Sequence, residues 1–173
     1  MALWRIREWY RNPFLLVTIR ILFGAFFIVT GLLKLMEPRE EFEALIRTYQ
    51  IFPEALIHWI SLTLPWIELM VGTCLALGFL TTAATWTGGA LLLGFTLALG
   101  YTVVMGIDLE DCGCFGSIGL QQSGPTAFIR NLLLLALFVP LLRYPARIWS
   151  LDALLERESR ESSPPSPPRG AGV

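Results

Sequence analysis

The sequence predicts an all-α fold: a polytopic membrane bundle of four transmembrane helices with a short amphipathic helix on its surface. Apolar residues make up 54% of the 173 residues and charged residues only 16%, whereas about a quarter of the residues of a soluble domain are charged. Four stretches are apolar over the roughly 20 residues that a helix needs to cross a bilayer. Between the first two stretches, an acidic segment has its apolar residues at helical spacing.

The chain divides into three predicted parts. Residues 1–12 form an interfacial segment, because Trp4 and Trp9 suit the headgroup level of a membrane. Residues 13–148 form the four-span membrane domain. Residues 149–173 form a cytoplasmic tail, whose content of Pro, Ser and Gly predicts that most of it is disordered. The net charge of −1 gives no indication of nucleic-acid binding, so the lipid bilayer is the first expected partner.

The first span is predicted at residues 14–36, with Pro13 as a favourable first helical residue. One face of this helix carries its small and charged residues, which are Arg20, Gly24, Gly31 and Lys34. In lipid, a small and polar face packs against other helices. We therefore expect this face to point into the bundle.

The segment at residues 37–52 is predicted to be the amphipathic surface helix. Its apolar residues recur at helical spacing, and its acidic residues favour the positive N-terminal end of a helix. An ordinary loop outside the membrane is the alternative. The second, third and fourth spans are predicted at residues 55–80, 83–105 and 125–142. A short amphipathic helix is also predicted at residues 150–160.

The polar connection between the third and fourth spans contains two nearly adjacent cysteines, Cys112 and Cys114. Gly113 between them lowers the steric resistance to bringing the two sulfurs together. A disulfide across so short a loop removes little chain entropy and adds little stability, whereas a strained or exposed disulfide exchanges readily. The pair therefore favours thiol–disulfide exchange at Cys112 and Cys114.

Two other interpretations of this pair stay open. The cysteines can be inert thiols in a loop, or they can bind zinc. Zinc prefers about four ligands, and the chain offers only Cys74 and His58 besides the pair, so we expect no metal site. Cys74 is predicted deep in the second span as a small buried hydrophobe, and His58 as a polar residue at the membrane interface. With no resolving thiol in the chain, electrons must pass to or from another molecule.

Some charges near the cysteine pair favour a thiolate and others disfavour it. Asp111 disfavours a thiolate, whereas Lys34 and Arg130 are predicted at the same membrane face and favour one. Phe115 is predicted to anchor the connection, although ordinary packing explains an aromatic residue there equally well.

The charges that flank the spans predict the orientation. Lys and Arg concentrate on the cytoplasmic side of a membrane protein. Here the terminal flanks carry most of the arginines, and the connections on the other side are mainly acidic. We therefore expect both termini in the cytoplasm and Cys112 and Cys114 outside it, where disulfides form and persist.

Two charged side chains are predicted inside the membrane. Glu68 lies near the middle of the second span and Arg20 lies within the first. If the two spans are antiparallel and cover the same membrane thickness, these residues differ in depth by only about 7 Å, at 1.5 Å per residue. We expect an Arg20–Glu68 ion pair that fixes helix register. A proton site or a ligand contact is the alternative.

Over residues 13–143 the sequence resembles the methylamine utilisation MauE family, a branch of the DoxX-like membrane proteins. The Cys-Gly-Cys-Phe-Gly string in its membrane setting is the specific feature. The resemblance rests on Arg20, Gly24, Gly31, Lys34, Pro65, Trp66, Ile67, Glu68, Gly72, Cys112, Gly113, Cys114, Phe115, Gly116, Arg130 and Asn131.

The resemblance implies a multi-pass protein of the bacterial cytoplasmic (inner) membrane. Members of this family are associated with maturation of the disulfide-rich small subunit of periplasmic methylamine dehydrogenase, alongside a thioredoxin-like partner. We therefore hypothesise a thiol–disulfide oxidoreductase that acts on a periplasmic client and exchanges electrons with a thioredoxin-like protein or a membrane quinone. The alternative is a non-catalytic assembly factor, or a DoxX-type subunit of a quinone-linked sulfur-oxidising complex.

Overall fold

Five helices make up most of the chain that the computed structural model describes, which is residues 13–107, 124–144, 150–153 and 158. No strand occurs within these residues, so the predicted all-α fold is confirmed. The helices, in chain order, are α1 (Pro13–Met36), α2 (Arg39–Thr48), α3 (Glu54–Leu77), α4 (Thr81–Met105) and α5 (Gly124–Arg143).

Helices α1, α3, α4 and α5 are long and apolar enough to cross a membrane. They have 20 to 25 residues and mean hydropathies between 1.7 and 2.3. Large apolar side chains remain exposed on their outer faces, among them Trp59, Trp66 and Trp86, as expected of surfaces that face lipid. The chain is therefore a multi-pass membrane protein, and the four predicted spans are confirmed.

Helices α1 and α3 are antiparallel and touch through their backbones. A Cβ atom on Gly24 would lie 2.8 Å from the backbone nitrogen of Ala76, and one on Gly72 would lie 2.7 Å from that of Ile28. Real Cβ atoms do not approach backbone atoms so closely, so glycine is required at both positions. The predicted small-residue face of α1 therefore points into the bundle, and its glycines set the register with α3.

Helices α4 and α5 pack against each other and close the bundle over the α1–α3 pair. The shared core contains Phe27, Leu75 and Leu92, all almost fully buried. Phe23 and Phe138 meet edge to face, with 4.8 Å between their ring centroids, an arrangement that aromatic pairs favour. This core joins all four membrane helices in one body.

Helix α2 is the predicted amphipathic helix and lies along the first part of α3. Its apolar face buries Phe42 and Ile46 with Ile57 of α3. On its polar side, Glu43 Oε1 and His58 Nδ1 lie 3.0 Å apart. The hydrogen bond with His58 is the main reason why the pKa of Glu43 lies below its ordinary value. These contacts join α2 to α3, together with the Arg47–Glu54 pair at 3.0 Å.

At the opposite end of the bundle, residues 150–153 lie against the turn between α3 and α4. The two carboxylate oxygens of Asp152 each accept a hydrogen bond at 2.9 Å, from the backbone N–H groups of Leu80 and Thr81. These are N–H groups at the start of α4 that no helical carbonyl can bond. Asp152 thus caps α4 from a distant part of the chain, a contact that the predicted tail did not include.

We predict that Gly72→Ala separates α1 from α3 and destabilises the bundle by roughly 1–3 kcal/mol, because the added methyl group meets backbone atoms that cannot move aside. The unfolding midpoint in detergent micelles measures this. Gly94→Ala is the matched control, since nothing lies within 4 Å of a Cβ at Gly94. Equal midpoints for the two variants would contradict the backbone contact at Gly72.

Candidate functional site

A set of polar side chains is buried between the four membrane helices, toward the end of the bundle that carries α2. Lys34 is 4% exposed and Glu68 is fully buried, which is unusual for charged residues. Three neutral polar residues accompany them, namely Thr30, Thr96 and Asn131. Buried polar groups in a membrane are costly and commonly mark a functional or structural centre.

Lys34 and Glu68 form an ion pair through Nζ and Oε1. Lys34 Nζ also lies 4.8 Å from the ring centroid of Phe95, within cation–π distance. The second carboxylate oxygen, Oε2, receives no hydrogen bond from the described residues. The nearby Thr30 hydroxyl interacts with the Glu68 carboxylate and also donates to the backbone carbonyl of Phe27 at 3.2 Å. The pair is therefore neutral as a unit.

The neutral polar groups form a second, smaller arrangement between α4 and α5. Asn131 Nδ2 donates to Thr96 Oγ1 at 3.2 Å. Thr96 in turn donates to the backbone carbonyl of Leu92 at 2.7 Å. Asn131 lines a small cavity with Lys34 and Glu68. The two arrangements thus form one continuous polar centre inside the membrane.

Glu68 pairs with Lys34, so the predicted Arg20–Glu68 pair is wrong. Gly31 lies against Glu68 in the structure, whereas Arg20 lies beside Gly78. The ten residues from Glu68 to Gly78 correspond to about 15 Å of helix. The prediction assumed that the two antiparallel spans cover the same membrane thickness. Instead α3 extends past the end of α1 to carry α2, which moves Glu68 level with Lys34.

Arg20 belongs to the opposite end of the bundle. It is 1% exposed, and its charge interacts with Asp152. Gly78 has a φ of +70°, and a Cβ there would lie 2.9 Å from Arg20 Nη1 and 2.6 Å from Ser150 Cβ. Arg20 is thus part of the contact that attaches residues 150–153 to the bundle.

A cavity of about 290 Å³ lies between α2, α3 and α4, next to the Lys34–Glu68 pair. Its walls are apolar and partly aromatic, and among the described residues that line it Lys34 is the single charged one. On the α4 side the wall consists of small residues, Ala90, Gly94 and Ala98. These small residues are visible in the sequence, but the cavity requires the position of α2 and was not predicted.

The predicted exchange residues Cys112 and Cys114 lie outside the described residues, as do Gly113, Phe115 and Gly116. The residues that flank their connection can be placed. Ile107 packs with Tyr49 and Phe128 in an apolar cluster, and Gly124 begins α5. The connection therefore leaves and re-enters the bundle at the end that carries α2 and the polar centre.

The other predicted residues have clear positions. Lys34 forms an ion pair with Glu68, and its effect on the cysteine connection stays a prediction. Arg130 is half-buried in α5, and Cys74 is a free, partly buried thiol in α3. His58 is exposed and contacts Glu43. Within the described ranges, no three His, Cys, Asp or Glu side chains are grouped to hold a metal ion.

We predict that Lys34 and Glu68 are strongly coupled in stability. Lys34→Met or Glu68→Leu alone leaves a buried charge without its partner and costs about 3–5 kcal/mol. The double variant removes both charges and recovers most of that loss. A double-mutant cycle of unfolding free energies in mixed micelles measures the coupling.

The matched control for this cycle is the Arg47–Glu54 pair, which has an N–O distance of 3.0 Å but is exposed. Exposed pairs contribute about 0–1 kcal/mol, so the cycle on Arg47→Ala and Glu54→Ala should show little coupling. Additive effects of Lys34→Met and Glu68→Leu, like those of the control, would contradict the buried pair.

The chain is similar to known proteins over most of its length. The family model described as "Methylamine utilisation protein MauE" matches residues 12–144, which include all four spans and the cysteine connection. A protein of Paracoccus denitrificans called methylamine utilization protein MauE is 35% identical over 129 residues, which is 73% of this chain and 67% of that protein. No solved structure matches. The chain therefore belongs to the MauE family of methylamine utilisation proteins.

Proposed function

We propose that this chain is a membrane thiol–disulfide redox protein whose exchanging groups are Cys112 and Cys114. The observation that carries the proposal is the Cys112-Gly113-Cys114 sequence in a connection that starts and ends at one end of the bundle. Two thiols separated by a glycine form a small ring on oxidation, and strained or exposed disulfides of this kind exchange readily.

The proposed reaction transfers a disulfide to a client protein. A client thiolate attacks one sulfur of the Cys112–Cys114 disulfide, and a mixed disulfide forms while the other sulfur leaves as a thiolate. A second client thiolate then attacks the mixed disulfide. The client gains one disulfide, and the pair becomes a dithiol after taking up two electrons and two protons. An external oxidant, a thioredoxin-like protein or a quinone, restores the disulfide.

The structure supports the need for an external oxidant. Cys74, the one other cysteine of the chain, lies in α3 near Gly72 and Leu75, both of which contact the α1 side of the bundle core. It is level with the Gly24 region of α1, far along α3 from the end where Ile107 and Gly124 flank the cysteine connection. A second dithiol centre inside this chain is therefore not part of the proposal.

We propose that the protein lies in the bacterial inner membrane with both termini in the cytoplasm. In this orientation the Arg20–Asp152 end faces the cytoplasm, and α2 and the cysteine connection face the periplasm. The exposed Arg143 at the cytoplasmic end agrees with the positive-inside rule, which counts Lys and Arg. The exposed Arg39 and Arg47 of α2 at the other end reduce the contrast. The periplasm is an oxidising compartment in which a disulfide client is made.

The proposed client is a disulfide-containing periplasmic protein of methylamine utilisation, of the methylamine dehydrogenase small-subunit type. The relative in Paracoccus denitrificans carries methylamine utilization in its name, which supports this choice. The bilayer and a thioredoxin-like periplasmic protein are the other proposed partners.

We predict that wild-type protein in cells cycles between a disulfide and a dithiol at Cys112 and Cys114. Cells are quenched with acid, and free thiols are alkylated with a maleimide-linked polymer before and after reduction. Reductant should add two polymer shifts in the wild type and in Cys74→Ser, but none in Cys112→Ser/Cys114→Ser. The double variant should also leave the client with unpaired thiols.

The single variants Cys112→Ser and Cys114→Ser distinguish exchange from docking. One of them should accumulate a mixed disulfide with a partner, which disappears on reduction, because the resolving thiol is missing. Normal client disulfides in cells that contain only the double variant would refute the redox proposal. The same result would favour a non-catalytic assembly factor.

A further inference from the structure

The cavity beside Lys34 is the feature of the described structure that the thiol chemistry leaves unexplained. Its volume of about 290 Å³ is close to the lower end of the range of about 300–1,000 Å³ for small-molecule sites. Ala90 and Gly94 of its wall are exposed, so the cavity is open at the surface of the membrane helices. A molecule dissolved in the membrane can therefore enter it sideways.

The inner end of the cavity offers hydrogen-bond donors. Phe95 forms part of the wall, and Lys34 Nζ lies 4.8 Å from its ring centroid. An ammonium group has three N–H donors, and among the described residues Lys34 donates to Glu68 Oε1. Lys34 is 4% exposed, so its other N–H groups have little access to water. A hydrogen-bond acceptor at the end of a ligand would bind to these N–H groups of Lys34.

Because the Lys34–Glu68 pair has no net charge, the site favours a ligand with a neutral hydrogen-bond acceptor. Lys34 and Glu68 cancel, so a carboxylate such as a fatty-acid headgroup would bring an uncompensated negative charge next to Glu68, at a high desolvation cost. A ketone or quinone oxygen accepts the same hydrogen bond without adding charge.

The walls favour a flat ring with an apolar tail. Phe42, Tyr49, Phe52 and Phe95 contribute aromatic surfaces, which stack or meet edge to face with a planar ring. Aliphatic side chains of α2 and α3 complete the wall, and they suit an isoprenoid or alkyl tail. An acyl chain alone would use these aliphatic contacts but neither the rings nor the ammonium group.

The cavity lies at the end of the bundle that carries the cysteine connection. Tyr49 lines the cavity and also packs in the apolar cluster with Ile107, the last described residue before the connection. Cys112 follows Ile107 by five residues, so its Cα lies within about 18 Å of that of Ile107 by covalent geometry. The chain that leads to the thiol pair thus leaves the described structure from a cluster that shares Tyr49 with the cavity.

We propose that this cavity binds a membrane quinone, with a ring carbonyl accepting a hydrogen bond from Lys34 and the tail directed toward lipid. The proposal rests on the proposed function, because the quinone is the oxidant of the Cys112–Cys114 dithiol. Two thiols lose two electrons and two protons and form one S–S bond. The quinone takes up the two electrons and two protons and becomes a hydroquinone.

The test uses the purified full-length chain in lipid nanodiscs and decylubiquinone as the probe. Displacement of a photoreactive azidoquinone measures binding. Gly94→Leu and Ala90→Leu each place a side chain in the cavity and should abolish labelling. Leu97→Phe is the matched control, because Leu97 is 64% exposed on α4 and outside the cavity wall. It should label like the wild type.

Lys34→Met/Glu68→Leu keeps the cavity apolar but removes the donor. Loss of one hydrogen bond to a charged group corresponds to roughly tenfold weaker binding, so this variant should need about tenfold more decylubiquinone for half-maximal displacement. Oleate should not displace the label. Displacement by oleate at the same concentration as decylubiquinone would overturn the proposal in favour of an acyl chain.

Two further outcomes separate this proposal from the redox function. Cys112→Ser/Cys114→Ser should bind decylubiquinone as the wild type does, because binding does not require the thiols. If no labelling occurs in the wild type while the thiol pair still cycles in cells, the quinone site is wrong and the redox function stands. If folded Gly94→Leu is fully labelled, the cavity is not the site. If Gly94→Leu does not fold, full labelling of folded Ala90→Leu leads to the same conclusion.

Discussion

The buried ion pair between Lys34 and Glu68 is the constraint on which the other features depend. Each charge alone is costly inside a membrane, so each residue is tolerable only where the other meets it. That requirement fixes the depth of α1 relative to α3. Glycines allow the fit, since Gly31 lies against Glu68, and Gly24 and Gly72 let the two backbones touch. The pair and the glycines therefore specify one register.

This register has consequences at both ends of the bundle. At one end, α3 extends past α1, and α2 packs on the extension through Phe42 and Ile46. The space under α2 becomes the apolar cavity, with Lys34 at its inner end. At the other end, Arg20 comes level with Gly78, where Asp152 caps α4. The polar side chains are thus divided between a structural contact at one end and a candidate ligand site at the other.

The spans, the surface helix and the inward face of α1 could be predicted because each depends on local periodicity and composition. The residue contacts between helices could not be predicted, because the depth of a residue depends on where its helix starts relative to the neighbouring helices. Arg20 and Lys34 lie on the same predicted face of α1, and periodicity cannot tell which of them meets Glu68. The cavity and the cap by Asp152 need contacts between distant segments. The thiol function still depends on the sequence of residues 112–114 and on family membership.

The most direct test of this account is the re-oxidation of the reduced Cys112–Cys114 pair by decylubiquinone in nanodiscs, followed by timed thiol alkylation. The buried pair sets the register of the helices, and its proposed second role is to donate a hydrogen bond to the oxidant. Lys34→Met/Glu68→Leu should therefore remain folded, yet its dithiol should be oxidised at least about tenfold more slowly than that of the wild type at the same low quinone concentration. Equal oxidation rates in the folded double variant and the wild type would contradict the account.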